Sequence, residues 1–269
     1  MTHKKLQELN WNNYSDDRII SILTSIPISW PILELPMNVT IDRAVRIAEG
    51  EEIANFSRLS YCPVCAMSEK QKTRYQRCNL PGQEMFYGSL LPDNADGIKF
   101  SRIISICESS RLFRTQENGE EVYGFGTWEQ TRPLKCAVIV DDKNEYGAAI
   151  LKDAQNHYKK KGIVLNDNHR FIASIFSSSV SDDMQYRLSA IYADFLFANT
   201  DIDAIVYPSV QTGAEGACIS INPQCINDNS IKLIAAIKSK VVMKDKELSI
   251  SNIERGCVSE QGKLTFIKI

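Results

Sequence analysis

The sequence predicts an α+β fold, and three observations carry that expectation. Apolar residues recur at helical spacing over 16–25, 98–113, 145–161 and 183–198. Apolar-rich segments of strand length occupy 134–141, 203–208 and 264–269. Between them, residues 54–89 mix arginine, asparagine and glycine with short apolar runs, the texture of strands and loops that shape a pocket. A chain of 269 residues buries a full core without disulfides or metals, so one main domain is expected.

In chain order, Asp16 and Asp17 open a short predicted helix over 16–25. A stretch punctuated by Pro27, Pro31 and Pro36 follows. Thr40 then reads as an N-cap, with Ile41, Val45 and Ile47 on or near one face of a second helix ending near Gly50. These pieces form an expected N-terminal helical extension, 1–53, ahead of a main domain at 54–269. Met85-Phe86-Tyr87 reads as a strand end, and 98–113 as a helix carrying Glu108 among Ile104, Cys107 and Leu112. Residues 134–141 read as a buried strand and 145–161 as an amphipathic helix with a basic end, His157 and His169 being surface residues beside it. The helix at 183–198 leads into a strand that stops at Pro208, which puts Ser209 at a strand end. Residues 231–242 and a last strand at 264–269 complete the chain.

Thirty-one basic residues against 33 acidic ones give a net charge of −2, no electrostatic footprint for a nucleic-acid backbone. Direct nucleic-acid binding is not expected, and any anionic ligand falls to a few local arginines. The first residues lack the apolar run of a secretion signal, and the prolines interrupt the early apolar stretch, so a cytoplasmic protein without a membrane span is expected. Eight cysteines spread through hydrophobic segments read as reduced thiols. Cys62-Pro-Val-Cys65 has the spacing of half a zinc site and Cys78 follows, but no second such pair completes it and no metal is expected. HExxH, GxSxG and P-loop motifs are absent, which removes zinc hydrolase, serine hydrolase and nucleoside triphosphatase readings.

Three stretches carry candidate chemistry. In Arg77-Cys-Asn-Leu-Pro-Gly-Gln-Glu-Met-Phe-Tyr87, a Pro-Gly turn folds the chain so that a guanidinium suited to phosphate and a phenol ring reach one ligand. Glu108 sits in apolar surroundings that are costly for an unpaired carboxylate, so it is paired or faces a pocket. Arg102, Arg111 and Arg114 are its candidate partners by sequence. In Tyr207-Pro-Ser-Val-Gln-Thr-Gly213, a strand stops and small residues follow, leaving backbone and hydroxyl groups free.

Together these stretches resemble the RES family, whose pattern is an arginine–proline–glycine turn with an aromatic strand end, a glutamate-bearing helix, then Tyr-Pro-Ser. RCNLPGQEMFYGS, SICESSRLF and DAIVYPSVQTG match in that order, so Arg77, Glu108 and Ser209 correspond to the residues that name the family, with Tyr87 beside them. Ser57-Arg58-Leu59 is similar to the family's opening arginine strand and Gly126-Thr-Trp128 to a later strand; the resemblance runs from about residue 54 to 210. Cys78 and Leu80 depart from the pattern, and the interval from Tyr87 to Glu108 is longer than in short members.

The resemblance implies an ADP-ribosyltransferase-like split β-sheet with surrounding helices, and an enzyme that cleaves the nicotinamide–ribose bond of NAD by hydrolysis or phosphorolysis. NAD is then a substrate rather than a cofactor, inorganic phosphate is a candidate acceptor, and a helix-turn-helix antitoxin is a candidate partner of a toxin. Arg77, Glu108 and Ser209 are the implied catalytic set, with Arg58, Tyr87 and Asn79 as substrate contacts. Glu108 would face the ribose and its developing charge, Arg77 and Arg58 the pyrophosphate, Tyr87 the nicotinamide or ribose, and Ser209 the nicotinamide ribose. The alternatives are an ADP-ribosyltransferase acting on a macromolecule and a non-catalytic NAD-binding or interaction module.

Overall fold

The computed structural model describes residues 6–25, 28–37, 39–90, 101–180, 182–259 and 263–269. Ten strands form one mixed sheet: β1 (Ile32–Leu35), β2 (Ile41–Ile47), β3 (Phe86–Leu90), β4 (Gly119–Gln130), β5 (Leu134–Val138), β6 (Ala204–Pro208), β7 (Ala217–Ile221), β8 (Ile231–Lys244), β9 (Glu247–Val258) and β10 (Leu264–Lys268). Their order is β1-β5-β6-β7-β3-β2-β4-β8-β9-β10. β5 and β6 run parallel and the other adjacent pairs antiparallel, which with the helices makes the chain α+β.

Every residue of β6 and β7 is buried, as expected for continuous apolar runs covered on both faces. Alternate side chains divide between two cores. Val138, Val206 and Ile219 pack with Leu151, Ala154 and Tyr158 of the helix Ala149–Lys160. Ala137, Ile205 and Cys218 pack on the other face with Ile19 and Leu23 of the helix Asp16–Thr24, Phe176 of the helix Asp167–Ser177 and Tyr192 of the helix Arg187–Asn199.

The predicted helix over 40–50 is a strand. β2 pairs with β4 over its whole length and lies inside the sheet. Ile41, Val45 and Ile47 are buried, and their β-branched side chains suit a pleated surface better than a helix. With β1 also paired to β5, residues 32–47 are part of the sheet, and the helical extension expected over 1–53 reduces to its first helix. That helix is capped by Ser15, whose Oγ accepts from the Arg18 amide at 3.3 Å.

The predicted helix over 98–113 divides at Ser110, which re-caps a second short helix through the Phe113 amide at 3.3 Å; residues 98–100 lie outside the described residues. The helix Asp167–Ser177, capped by Asn166, was not expected. It buries His169 against Trp30 and Tyr158, so His169 is a core residue and not a surface one. Burial holds its imidazole below the ordinary pKa. No helix among the described residues is long and apolar enough to cross a membrane.

One feature of the sheet positions the site. β2 and β3 pair only at Ile41 with Leu90 and at Asp42 with Ser89; beyond this β3 continues along β7 and β2 along β4. The two halves of the sheet therefore part after Asp42 and Ser89.

Candidate functional site

A cavity of about 340 Å³ lies where β2 and β3 part. Arg43 and Ala44 line it from β2, Tyr87, Gly88 and Ser89 from β3, and Ser105, Glu108 and Ser109 from the helix Ser101–Ser109. Arg74, Gln76 and Arg77 enter from the loop before β3, and Tyr186, Tyr207 and Cys218 close the remaining side.

The Glu108 helix is fastened at its start. Asp42, buried on β2, accepts from Thr127 Oγ1 at 2.6 Å and from Ser101 Oγ through its carboxylate, and from Ser105 Oγ at 2.9 Å through its carbonyl. Glu108, one turn further along, reaches across the cavity edge to the segment after β6. Its Oε1 accepts from Ser209 Oγ at 2.6 Å and from the Gln211 amide at 3.0 Å. Charge-assisted bonds of this kind are roughly twice as strong as neutral ones and fix a carboxylate's orientation. The arginines nearby in sequence do not pair with that carboxylate: Arg114 donates to the Glu108 carbonyl, and Arg111 pairs with Glu117.

Ser209 reaches Glu108 because Gly216 lets the helix approach. The Ser209 amide donates to the Gly216 carbonyl at 3.0 Å, and a Cβ on Gly216 would lie 2.2 Å from Ile104 Cδ1. Only glycine permits that contact. Ser209 is itself buried behind the carboxylate rather than exposed in the cavity.

Arg77 and Tyr87 come to the same cavity across the Pro81-Gly82 turn, where Gly82 has φ +76°. The Tyr87 hydroxyl donates to Asn79 Oδ1 at 2.6 Å and accepts from the Cys78 amide at 3.0 Å. Burial pushes its pKa well above the ordinary value, so it is a neutral donor. Asn79 in turn donates to the Leu80 and Gln83 carbonyls and is buried beneath Tyr87 outside the cavity lining, so its place is as an orienting group.

Arg58 does not line the cavity. It pairs with Glu51 and donates to the Arg46 carbonyl at 2.8 Å, on the short 3₁₀ turn Phe56–Leu59. Arg43 occupies the place expected of it. The Arg43 Nη1 donates to the Tyr87 carbonyl at 2.8 Å, its guanidinium lies 5.3 Å from the Phe86 ring, and its buried Nε meets no acceptor among the described residues. Burial first, and nearby Arg58 second, lower its pKa to about 10, while Tyr87 and Cys62 act in the opposite direction. Arg43 was hidden in a segment read as a helix, where alternation of 41, 43, 45 and 47 was the available signal. Arg74, Tyr186 and Cys218 carried no sequence signal of their own, and Tyr207 entered only as the first residue of the Tyr-Pro-Ser stretch. Cys218 is a neutral thiol, pushed well above its ordinary pKa by burial and then by Glu108.

Among the described residues no group of three His, Cys, Asp or Glu side chains could hold a metal; Cys65 is exposed whereas Cys78 is buried. The fold and cavity define an α+β protein whose parted sheet presents three guanidinium groups and one oriented carboxylate. No protein-family model matches the chain, and no curated protein matches it by sequence.

Proposed function

We propose that the chain is a RES-type enzyme that degrades NAD by cleaving its nicotinamide–ribose bond, with water or inorganic phosphate as acceptor. The observation that carries this reading is the Glu108 carboxylate, one oxygen of which is fixed by Ser209 and the Gln211 amide at the edge of an arginine-lined cavity. Breaking an N-glycosidic bond sends its electron pair to nicotinamide and leaves oxocarbenium charge on the ribose. A pre-oriented carboxylate stabilises that charge without reorganising. The acceptor oxygen then bonds to the ribose carbon and loses its proton.

The parting of β2 from β3 supports an ADP-ribosyltransferase-like split sheet, with the dinucleotide held in the fork. Arg43, absent from the sequence-based set, replaces Arg58 as a pyrophosphate contact, and Tyr87 supplies a ring face for the nicotinamide or ribose. An active NAD-degrading enzyme requires restraint in its own cell, which a helix-turn-helix antitoxin covering the fork would supply.

The test is NAD consumption by the purified protein with and without inorganic phosphate, following nicotinamide and the ribosyl product. Phosphate-dependent loss identifies phosphorolysis and phosphate-independent loss hydrolysis. Label transferred to a macromolecule identifies a transferase instead, and absence of turnover with and without an acceptor refutes an enzymatic role.

A further inference from the structure

The three arginines of the cavity are not equivalent donors. Arg77 Nη1 donates to the Ile175 carbonyl at 3.2 Å and the Phe176 carbonyl at 2.7 Å, and Nη2 to the Ser178 carbonyl at 3.0 Å. These carbonyls end the helix Asp167–Ser177, where intrahelical donors run out. A planar guanidinium caps several at once through a fixed fork of donors, which the single ammonium of a lysine does not reproduce. Its charge lies 4.9 Å from the Tyr186 ring centre and 5.8 Å from that of Tyr207, and the residue is 8% exposed. Three hydrogen bonds from its two terminal nitrogens therefore tie it to the protein.

Arg43 and Arg74 differ. Each has a buried Nε without an acceptor among the described residues, and each lines the same cavity, one from β2 and one from the loop before β3. A buried N–H left without an acceptor is unfavourable, so its occurrence twice in one cavity points to a ligand rich in acceptor oxygens. Arg74 is partly neutralised by Asp183, to which its Nη2 donates at 2.8 Å, whereas Arg43 is close to the like charge of Arg58.

We infer that Arg43 and Arg74 form a two-guanidinium clamp for a diphosphate group, and that Arg77 is a positioning residue that caps the 167–177 helix and fixes the wall beside that group. This rests on the reading of the cavity as a dinucleotide site. It departs from the role that resemblance alone gives Arg77, because the hydrogen bonds of that guanidinium go to three carbonyls at the end of the 167–177 helix.

The experiment measures binding of two probes, ADP-ribose and inorganic pyrophosphate, to the full chain by calorimetry. Arg43→Gln and Arg74→Gln are each expected to weaken both probes about tenfold or more, the effect of deleting one charge-assisted contact. Arg77→Lys is expected to melt at lower temperature. Because that variant can fail to fold, arginine Nε–Hε resonances of the wild-type protein provide an independent reading, in which pyrophosphate shifts those of Arg43 and Arg74 more than that of Arg77. Unchanged binding in both glutamine variants, no binding of either probe to the wild type, or a dominant shift at Arg77 overturns the inference. Binding of pyrophosphate with loss in both variants, but no binding of ADP-ribose, sustains the clamp and removes the dinucleotide reading.

Discussion

Ser209 Oγ donates to Glu108 Oε1 at 2.6 Å, joining a strand end to a helix 101 residues earlier in the chain. The contact, with that from the Gln211 amide, holds Oε1 to the segment after β6 in a residue that lines the cavity. Glu108→Gln should lower turnover by about a hundredfold or more with the fold retained, as for other charge-stabilising groups. Ser209→Ala leaves the Gln211 amide in place and should cost less, about tenfold, mainly in kcat. Steady-state kinetics on variants with wild-type melting curves check both, and unchanged turnover in Glu108→Gln would remove that residue from the chemistry.

Removing the Tyr87 hydroxyl strands Asn79 Oδ1 and the Cys78 amide, both of which depend on it. Tyr87→Phe should therefore destabilise the protein by about 1–3 kcal/mol. Urea unfolding measures the loss; a stability equal to wild type would mean that those two groups find other partners.

Arg43 is a buried cation whose folded pKa, about 10, lies below its ordinary 12.5. Between those values the unfolded chain holds the extra proton, so stability rises with pH there, and below about 10 the cost of burying the charge is fully present. Arg43→Met should thus stabilise the fold at pH 7 by about 1 kcal/mol, since the lost bond to the Tyr87 carbonyl offsets part of the relief. Binding of ADP-ribose, whose diphosphate stays fully ionised over this range, should be level through neutral pH and fall as pH rises through about 10. Thermal melts and ADP-ribose titrations at several pH values test the pair, and a lower melting temperature in Arg43→Met would contradict it.

At Gly216 a single methyl group is in question. Its Cβ would lie 2.2 Å from Ile104 Cδ1 and 2.7 Å from Ile104 Cγ1, so the whole isoleucine or its helix must move. Gly216→Ala should cost about 1–3 kcal/mol, and displacement of Glu108 should lower turnover with it. Adding Ile104→Ala restores space, and a double-mutant cycle should show favourable coupling; simple additivity would locate the defect elsewhere.

The parts of the site legible in the sequence are those held by local geometry. Arg77 and Tyr87 flank one Pro-Gly turn, and Pro208 ends the strand before Ser209, so short-range rules place them. Glu108 is readable because an apolar helix carries it. Arg43 is not, since the 40–50 segment satisfies helical and strand patterns alike, and its pairing with residues 122–128 of β4 decides between them. Arg58 was chosen in its place on the likeness of Ser57-Arg58-Leu59 to the family's opening arginine strand, which says nothing of its pairing with Glu51. The helix at 167–177 had its signals, Asn166 as cap with Phe171, Ile172 and Phe176 following, but lay in a stretch read only for His169.

The order of strands also has a consequence for synthesis. β3 borders β7, and the Glu108 helix rests on Gly216, so one wall of the cavity is supplied by residues translated long after Arg43, Arg77, Tyr87 and Glu108. Contacts so distant along the chain require costly loop closure and form slowly. A nascent chain ending before Ser209 holds four of the key side chains without the strand that completes their enclosure. The cavity would thus be enclosed only once the chain has been made through β7, well after its arginines and Glu108.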